Sequence, residues 1–467
     1  MGMNKNNIEK IVQLVIAELK NKSETEVENK MELGIFEEVD DAIEAAVIAQ
    51  KELVKLSLEN REKLLKAMRE EITKNIEMLS RMAFEETGMG RYEDKIKKNT
   101  LVVEKTPGTE DLKSEAYSGD NGLTLIELSP FGVIGAITPS TNPTETTICN
   151  AIGMVAAGNS VVFAPHPSAK NVTIKTIEIL NTAIINAGGP KNLLTTIKKP
   201  TIESVNKMMT HPKINLISAT GGPGVVKAAL SSGKKAIGAG AGNPPVVVDE
   251  TADIEKAAKD IIDGSSFDNN LPCIAEKEVI VVDSVADYLI FNMKKHGVYE
   301  IKDNELIKKL EKLLLIDGKT PNKDYVGKNA DYILSKIGVE VDSSIRAIIA
   351  EVEEDHPFVL EELMMPILPI VRVKNIDEGI ELAVKVENGN RHTAIMHSKN
   401  VDNLTRCAKA LQTTIFVKNA PSFAGIGFGG EGYTTFTIAG PTGEGLTSAR
   451  SFTRKRRCVL AEGLSIR

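Results

Sequence analysis

Apolar residues recur along this chain at two spacings, and the spacing changes by segment. Residues 4–20 put Ile8, Ile11, Val12, Val15 and Leu19 on one face at helical spacing, and residues 21–30 are polar and charged, a linker composition. A helix this short on a tether cannot bury its face alone, so it must dock on its own body, on a partner or on a shell. Helical spacing then runs from Asp40 to Lys105, where Pro107 and Gly108 close it. Beyond that point short apolar runs alternate with helical patterns. Strands are predicted over 160–163, 214–218, 246–248, 279–283, 367–373, 394–397 and 414–417. Helices are predicted over 171–187, 225–232, 254–262, 376–387 and 404–411. Such alternation implies α/β layers with mostly parallel sheets, in two runs that meet near residue 238. Residues 300–336 are charged and weakly patterned, which reads as a surface elaboration.

With 467 residues the chain is too long for one core, so two or more domains are expected. The balance of 57 Lys+Arg against 64 Asp+Glu, a net charge of −7, gives no electrostatic footprint for nucleic acid. The longest apolar runs are strand-length and broken by Gly or charge, so no membrane span is expected. An amphipathic rather than continuously apolar N-terminus argues against a secretory signal. Few, dispersed cysteines fit free thiols in a reducing cytoplasm. Six scattered His show no ligand spacing, so no metal is expected.

No two of Cys149, Cys273, Cys407 and Cys458 are spaced as a redox or zinc pair. Cys273 stands out because Asp268-Asn-Asn-Leu-Pro-Cys-Ile-Ala-Glu276 is a polar loop just before an apolar run, where a thiol can meet a substrate. It is either a nucleophile or an inert small residue. Cys149 in an apolar helical stretch, Cys407 in mid-helix and Cys458 after the basic run Arg454-Lys-Arg-Arg457 read as structural, and that basic run reads as a subunit contact or a solvated face. Three glycine-rich loops compete for a cofactor. Gly425-Ile-Gly-Phe-Gly-Gly430 matches the dinucleotide fingerprint literally, but no helix pattern follows, so a mobile loop near a pocket is the better reading. Thr220-Gly-Gly-Pro-Gly224 does lie between strand and helix patterns; it is a pyrophosphate-binding helix start or a plain tight turn. Gly238-Ala-Gly-Ala-Gly242 implies close backbone approach to a substrate or a neighbouring loop. The turn 137–144 carries Asn142, an amide able to donate to a developing oxyanion.

In this order the motifs Thr138-Pro-Ser-Thr-Asn-Pro143, Phe163-Ala-Pro-His-Pro167, Thr220-Gly-Gly-Pro-Gly224, Gly238-Ala-Gly-Ala-Gly-Asn-Pro-Pro245, Asn269-Asn-Leu-Pro-Cys273 and Glu361-Glu-Leu-Met-Met-Pro366 make the chain resemble the aldehyde dehydrogenase superfamily from about Glu32 onward. Within it the resemblance is to the CoA-acylating branch, the propionaldehyde and butyraldehyde dehydrogenases of fermentative bacteria and their microcompartments. The resemblance implies Cys273 as nucleophile and Asn142 as oxyanion donor together with the Cys273 N–H. It implies a cofactor site at Thr138, Pro139, Pro165, His166, Thr220, Gly221, Gly222 and the ribose ligand Glu362, and a substrate pocket at Ile274 and Phe423. NAD, with NADP possible, and coenzyme A are the implied cofactor and co-substrate, and a C2 to C4 aldehyde the substrate. Hydrolytic members place a water-activating Glu where this chain has Ala239, and many members place a Lys on the adenine ribose where it has Ala164. Loss of the base favours a thiol over water as the acyl acceptor.

The implied fold is α/β and aldehyde dehydrogenase-like: a Rossmann-like cofactor domain, an α/β catalytic domain and a small oligomerisation arm. The expected parts are an encapsulation-like helix (1–20), a linker (21–34), the cofactor domain (35–238, with 118–132 in the arm), the catalytic domain (239–432) and a C-terminal oligomerisation segment (433–467). A homodimer or dimer of dimers, a cytoplasmic location inside a bacterial microcompartment, and shell or cargo partners for the N-terminal helix complete the expectation. The alternatives are a hydrolytic aldehyde dehydrogenase, an acyl-phosphate reductase, and a cargo protein that scaffolds through its N-terminal helix.

Overall fold

Two parallel sheets carry the chain, joined at residues 240–244, in a computed structural model that describes residues 33–466. The expected N-terminal helix lies outside the described residues, as does the linker apart from Leu33 and Gly34. The first sheet has the spatial order Ile35–Phe36, Leu194–Ile197, Ser160–Pro165, Val133–Thr138, Leu216–Thr220, Lys235–Ala239. Starting from Val133–Thr138, the chain adds two strands to one side, then crosses back to add two on the other. This reversal opens a crevice at the carboxyl ends of the strands, the usual ligand position in a doubly wound sheet. Alternate residues serve opposite faces, as the two-residue period of a strand demands. Ile134, Ala136, Val161 and Phe163 pack under Leu58–Thr87, Tyr92–Lys105, Pro143–Ala156 and Lys170–Asn186. Val133, Ile137, Val162 and Ala164 pack under Val39–Leu53, Ile202–Thr210 and Pro223–Leu230.

The second sheet is ordered Val298–Ile301, Ala347–Glu351, Ile367–Val373, Glu278–Val282, Pro245–Val248, Thr393–His397, Ile415–Lys418, all parallel. Ile254–Ser265, Ile376–Glu387 and Val401–Leu411 flank it close to their expected positions. Three expectations need correction. The helical stretch 40–105 is three helices, because Ser57 caps Leu58–Thr87 by accepting the Asn60 N–H at 3.2 Å and Gly88 ends it at φ 63°. Residues 300–336 are not a surface elaboration. Ile307, Leu310 and Leu314 of Asn304–Leu314 and Ala330, Ile333 and Leu334 of Ala330–Lys336 close a core with Ile348, Phe358 and Met365. Their inward positions are few, and Lys and Glu fill the rest of the pattern. Finally, a three-stranded antiparallel sheet of Glu115–Gly119, Gly122–Pro130 and Thr453–Ala461 stands clear of the body. Of the stretch from 433 on, only Thr453–Ala461 joins this sheet, whereas Phe436, Ile438, Ala449 and Phe452 pack into the main core. Cys458 and the basic run sit on this edge strand, so that cysteine is exposed rather than structural.

Candidate active site

A cleft of about 410 Å³ opens where the first sheet reverses. Thr138, Pro139, Pro165, His166, Thr220, Gly221 and Gly222 all line it, each at the carboxyl end of a strand or just past it. Gly222 caps the helix Pro223–Leu230, and added Cβ atoms at Gly222 and Gly224 would meet nothing within 4 Å. An open glycine turn against a helix N-terminus suits a pyrophosphate. No carboxylate lines the cleft among the described residues. Partial desolvation, then the charge of Lys323, holds the imidazole of the exposed His166 below its ordinary range. The literal fingerprint 425–430 leads to no helix; Lys105 ties it down by donating to the carbonyls of Gly427 and Gly430 at 2.6 and 2.9 Å.

Cys273 lies on the loop between Ile254–Ser265 and Glu278–Val282. The loop turns through three consecutive residues with positive φ: Asp268 (47°), Asn269 (55°) and Asn270 (67°). Asp and Asn tolerate this region better than other side-chain-bearing residues, and here their side chains also hold the turn. Asp268 accepts the Arg91 N–H at 2.6 Å; Asn269 donates to Gly327 O at 2.9 Å and Asn329 Oδ1 at 2.7 Å; Asn270 donates to Ser265 O and Glu276 O, both at 2.8 Å. Beyond Cys273, Glu276 accepts the Ser422 N–H at 2.8 Å and its hydroxyl at 2.7 Å. The small residues of 238–242 allow the close approach expected of them: an added Cβ on Gly242 would lie 2.8 Å from Cys273 O and 2.8 Å from the His392 ring.

Asn142 occupies the N-cap position of the helix Pro143–Ala156, with no side-chain capping bond, in the turn after Val133–Thr138. Its Oδ1 accepts from the Lys98 ammonium at 2.6 Å. Lys98 in turn pairs with Asp268 at 2.7 Å and Glu145 at 2.9 Å, and Lys95 pairs with Asp268 at 3.2 Å. All four charged groups are buried. The cluster joins the helix that begins after Asn142 to the loop that carries Cys273. Burial works against the Lys98 charge, but Asp268 and Glu145 outweigh it and hold the ammonium above its ordinary range.

The electrostatics around Cys273 are mixed. Burial first, then the Glu362 charge, pushes its thiol up to about 12, with Lys277 opposing. Lys277 is itself buried and donates to Asn270 O at 3.0 Å and Asn270 Oδ1 at 2.6 Å. Glu362 accepts the Gly242 N–H at 3.4 Å, which puts it beside Cys273 rather than among the cleft-lining residues. His392 is buried, its Nδ1 bonds the Thr393 hydroxyl at 2.8 Å, and its Nε2 has no partner among the described residues. Burial, with the Lys277 charge, pushes His392 down to about 4, so the ring is neutral near pH 7 and resists protonation. Phe267, Phe423 and Phe428 form an aromatic group with centroids 5.2 to 5.8 Å apart, and Phe423 packs against the same core as Cys273. Ile274 is only 2 % exposed and belongs to that core.

Sequence reading missed Lys95, Lys98, Glu145, Lys277 and His392. The one signal for the lysines was their register, since Lys95, Lys98, Asn99 and Val102 share a helix face and Val102 is core. Among the described residues no group of three or more His, Cys, Asp or Glu could hold a metal ion.

Known proteins share this arrangement. The chain matches the aldehyde dehydrogenase family over residues 15–300 and 345–448. It is 50 % identical to the CoA-propanoylating propanal dehydrogenase of Citrobacter freundii, across 100 % of both chains. The propionaldehyde dehydrogenase of Rhodopseudomonas palustris with bound CoA and an acylated cysteine superposes with a TM-score of 0.92 at 60 % identity, covering 93 % of this chain and 100 % of that one. The enzyme from the Clostridium phytofermentans fucose utilisation microcompartment gives 0.91 at 57 % identity, with coverage of 93 % and 100 %. With both sheets, the arm and a cysteine loop beside a glycine-lined cleft, the chain belongs to the aldehyde dehydrogenase family.

Proposed function

We propose that this protein is a CoA-acylating aldehyde dehydrogenase that reversibly converts a short aliphatic aldehyde and CoA into the acyl-CoA. The observation that carries the reading is the segment 239–243. It runs against the Cys273 backbone at Gly242 and carries no carboxylate, and by the family resemblance its Ala239 replaces the water-activating Glu of hydrolytic members. Cys273 attacks the aldehyde carbonyl as thiolate. The Asn142 amide and the Cys273 N–H stabilise the oxyanion of the thiohemiacetal, an effect worth about 10²–10³ in rate per donor. Thr138, Pro139, Pro165, His166 and the turn 220–222 hold the nicotinamide dinucleotide, with Glu362 as ribose ligand. A nicotinamide dinucleotide held there would supply the hydride acceptor for the thiohemiacetal carbon on Cys273. Collapse leaves a thioester on Cys273, which the CoA thiol takes over; the exchange of one thioester for another makes the reaction reversible. With no carboxylate in the cleft to claim a ribose 2′-hydroxyl, either NAD or NADP can be accommodated. Phe423, with Phe267 and Phe428, supplies an apolar wall for a short alkyl chain, and Ile274 stiffens that wall from the core side.

A second reading, hydrolysis to the free acid, is favoured by one observation, the Glu362 carboxylate beside Cys273. The decisive experiment measures NADH formation from propionaldehyde and NAD⁺ with and without CoA. Steady turnover only with CoA, and at most one NADH per subunit without it, is the expected result. Equal steady turnover without CoA would establish hydrolysis.

The layout that accompanies this function is a cofactor domain (35–238) and a catalytic domain (239–432), with the exposed arm pairing subunits into a dimer or dimer of dimers. Tyr117, Val459 and Leu460 present exposed apolar surface on that arm. No described helix is long and apolar enough to cross a membrane. Residues 1–20 direct the enzyme into a bacterial microcompartment, a role supported by the microcompartment source of the Clostridium phytofermentans relative. Deleting residues 1–20 should leave activity unchanged and abolish co-purification with shells.

A further inference from the structure

We propose that Lys98 is a positioning residue for the first chemical step, fixing the Asn142 amide with its N–H side toward the reacting oxygen and tying it to the loop of Cys273. The inference rests on the assignment of Asn142 to the oxyanion site. An ammonium carries three donors and no acceptor. Lys98 donates to Asn142 Oδ1 at 2.6 Å and pairs as a cation with Asp268 at 2.7 Å and Glu145 at 2.9 Å. The Asn142 atom that faces it must therefore be the oxygen, and chemistry sets the amide's orientation. One Nδ2 hydrogen goes to Thr141 Oγ1 at 3.3 Å, which leaves the other for substrate. A flipped amide would set its NH₂ against a buried cation and its carbonyl against the oxyanion, so both ends oppose the flip. The cation at Oδ1 also polarises the amide and strengthens its N–H as a donor. The third link adds register. Asp268 starts the left-handed turn that leads to Cys273, so the same ammonium sets the oxyanion donor and the nucleophile loop relative to each other.

The test is a double-mutant cycle on the single-turnover rate of NADH formation from propionaldehyde and NAD⁺. Removing Lys98 alone would leave buried carboxylates uncompensated, so Lys98→Met is combined with Glu145→Gln; Lys95 remains as counter-ion for Asp268. Glu145→Gln alone is the reference. Asn142→Ala should slow the burst by about 10²–10³-fold. The Lys98→Met/Glu145→Gln enzyme should be slower than its reference by at least about tenfold with an unchanged KM for NAD⁺, part of the loss expected for the donor itself. Adding the pair to Asn142→Ala should cost nothing further, because an absent amide has no orientation to lose. A full, multiplied loss in the combined variant, or a rate equal to Glu145→Gln, would overturn the inference and leave the oxyanion assignment intact. A wild-type rate in Asn142→Ala would overturn the assignment itself, and the inference with it. If the paired variant does not fold, Asn142→Asp decides. It keeps an oxygen facing Lys98, now as an ion pair, but turns a second oxygen toward the substrate, so it should be slower than Asn142→Ala; an equal or faster rate overturns the inference.

Discussion

The resting nucleophile should be almost entirely protonated, and this can be measured by alkylation. Cys273 is partly open to solvent, yet dense packing around its sulfur and the neighbouring Glu362 charge push the thiol up to about 12. Against the ordinary value of 9.0 the folded site holds about 3 pH units more proton affinity, or roughly 1,000-fold less thiolate. At pH 8 about one site in 10⁴ is ionised. The assay is loss of activity with iodoacetamide in the absence of cofactor, as a function of pH; Cys458 is exposed and reacts early, but it lies on the arm and does not report. Inactivation at pH 8 should be about 10³-fold slower than alkylation of a free thiol, rising about tenfold per pH unit to pH 10 with no plateau. Glu362→Gln should accelerate it several-fold but not to the free-thiol rate, because burial is the larger cause. A plateau below pH 9, or free-thiol reactivity at pH 8, would refute the reasoning and imply a preformed thiolate.

Three further outcomes are expected. Gly242→Ala forces a Cβ to within 2.8 Å of Cys273 O, so it should cost about 1–3 kcal/mol of stability and lower kcat at least tenfold by displacing the Cys273 backbone, as read by urea unfolding and steady-state kinetics. Asp268→Ala leaves Lys95 and Lys98 as buried cations short of a partner and should destabilise by about 3–5 kcal/mol; an unfolding midpoint near wild type would show that the cluster is not a buried ion network. Glu276 is pushed up to about 7 by burial, against the Ser422 bonds and away from its ordinary 4.5. The folded protein thus keeps this proton to higher pH than the unfolded chain, and the contribution is fully present below pH 4.5 and lost as pH rises through 7, about 3 kcal/mol in all. Glu276→Gln should flatten the stability profile between pH 5 and 8, and an unchanged slope would rule Glu276 out as its source.

Much of the site was legible because its chemistry is local. Cys273 announced itself by standing in a polar loop before an apolar run, and the Asp-Asn-Asn that precedes it are the residues a left-handed turn accepts. The cleft residues follow strands whose apolar runs are readable, so the ends of those strands were readable too. The lysines were not. On a helix otherwise rich in charge, Lys95 and Lys98 look like a solvated face, and only the packing of Leu58–Thr87 and Pro143–Ala156 around them makes that face interior. His392 lies 119 positions beyond Cys273, and no spacing rule links it to Gly242.

The sequence by itself determined the parallel α/β class, most strands of the two sheets' centres and the change of run near residue 238. Side-chain periodicity and turn chemistry act over a few residues, and every chain segment carries its own. It also marked 238–242 as a segment of close backbone approach, which Gly242 makes against Cys273 and His392. Only the tertiary structure decided which charges are buried, that Glu362 faces Gly242 beside the nucleophile, and that one ammonium connects Asn142 to the Cys273 loop. Burial and electrostatic coupling depend on what arrives from distant parts of the chain. Neither quantity exists until the sheets and helices have closed around the site.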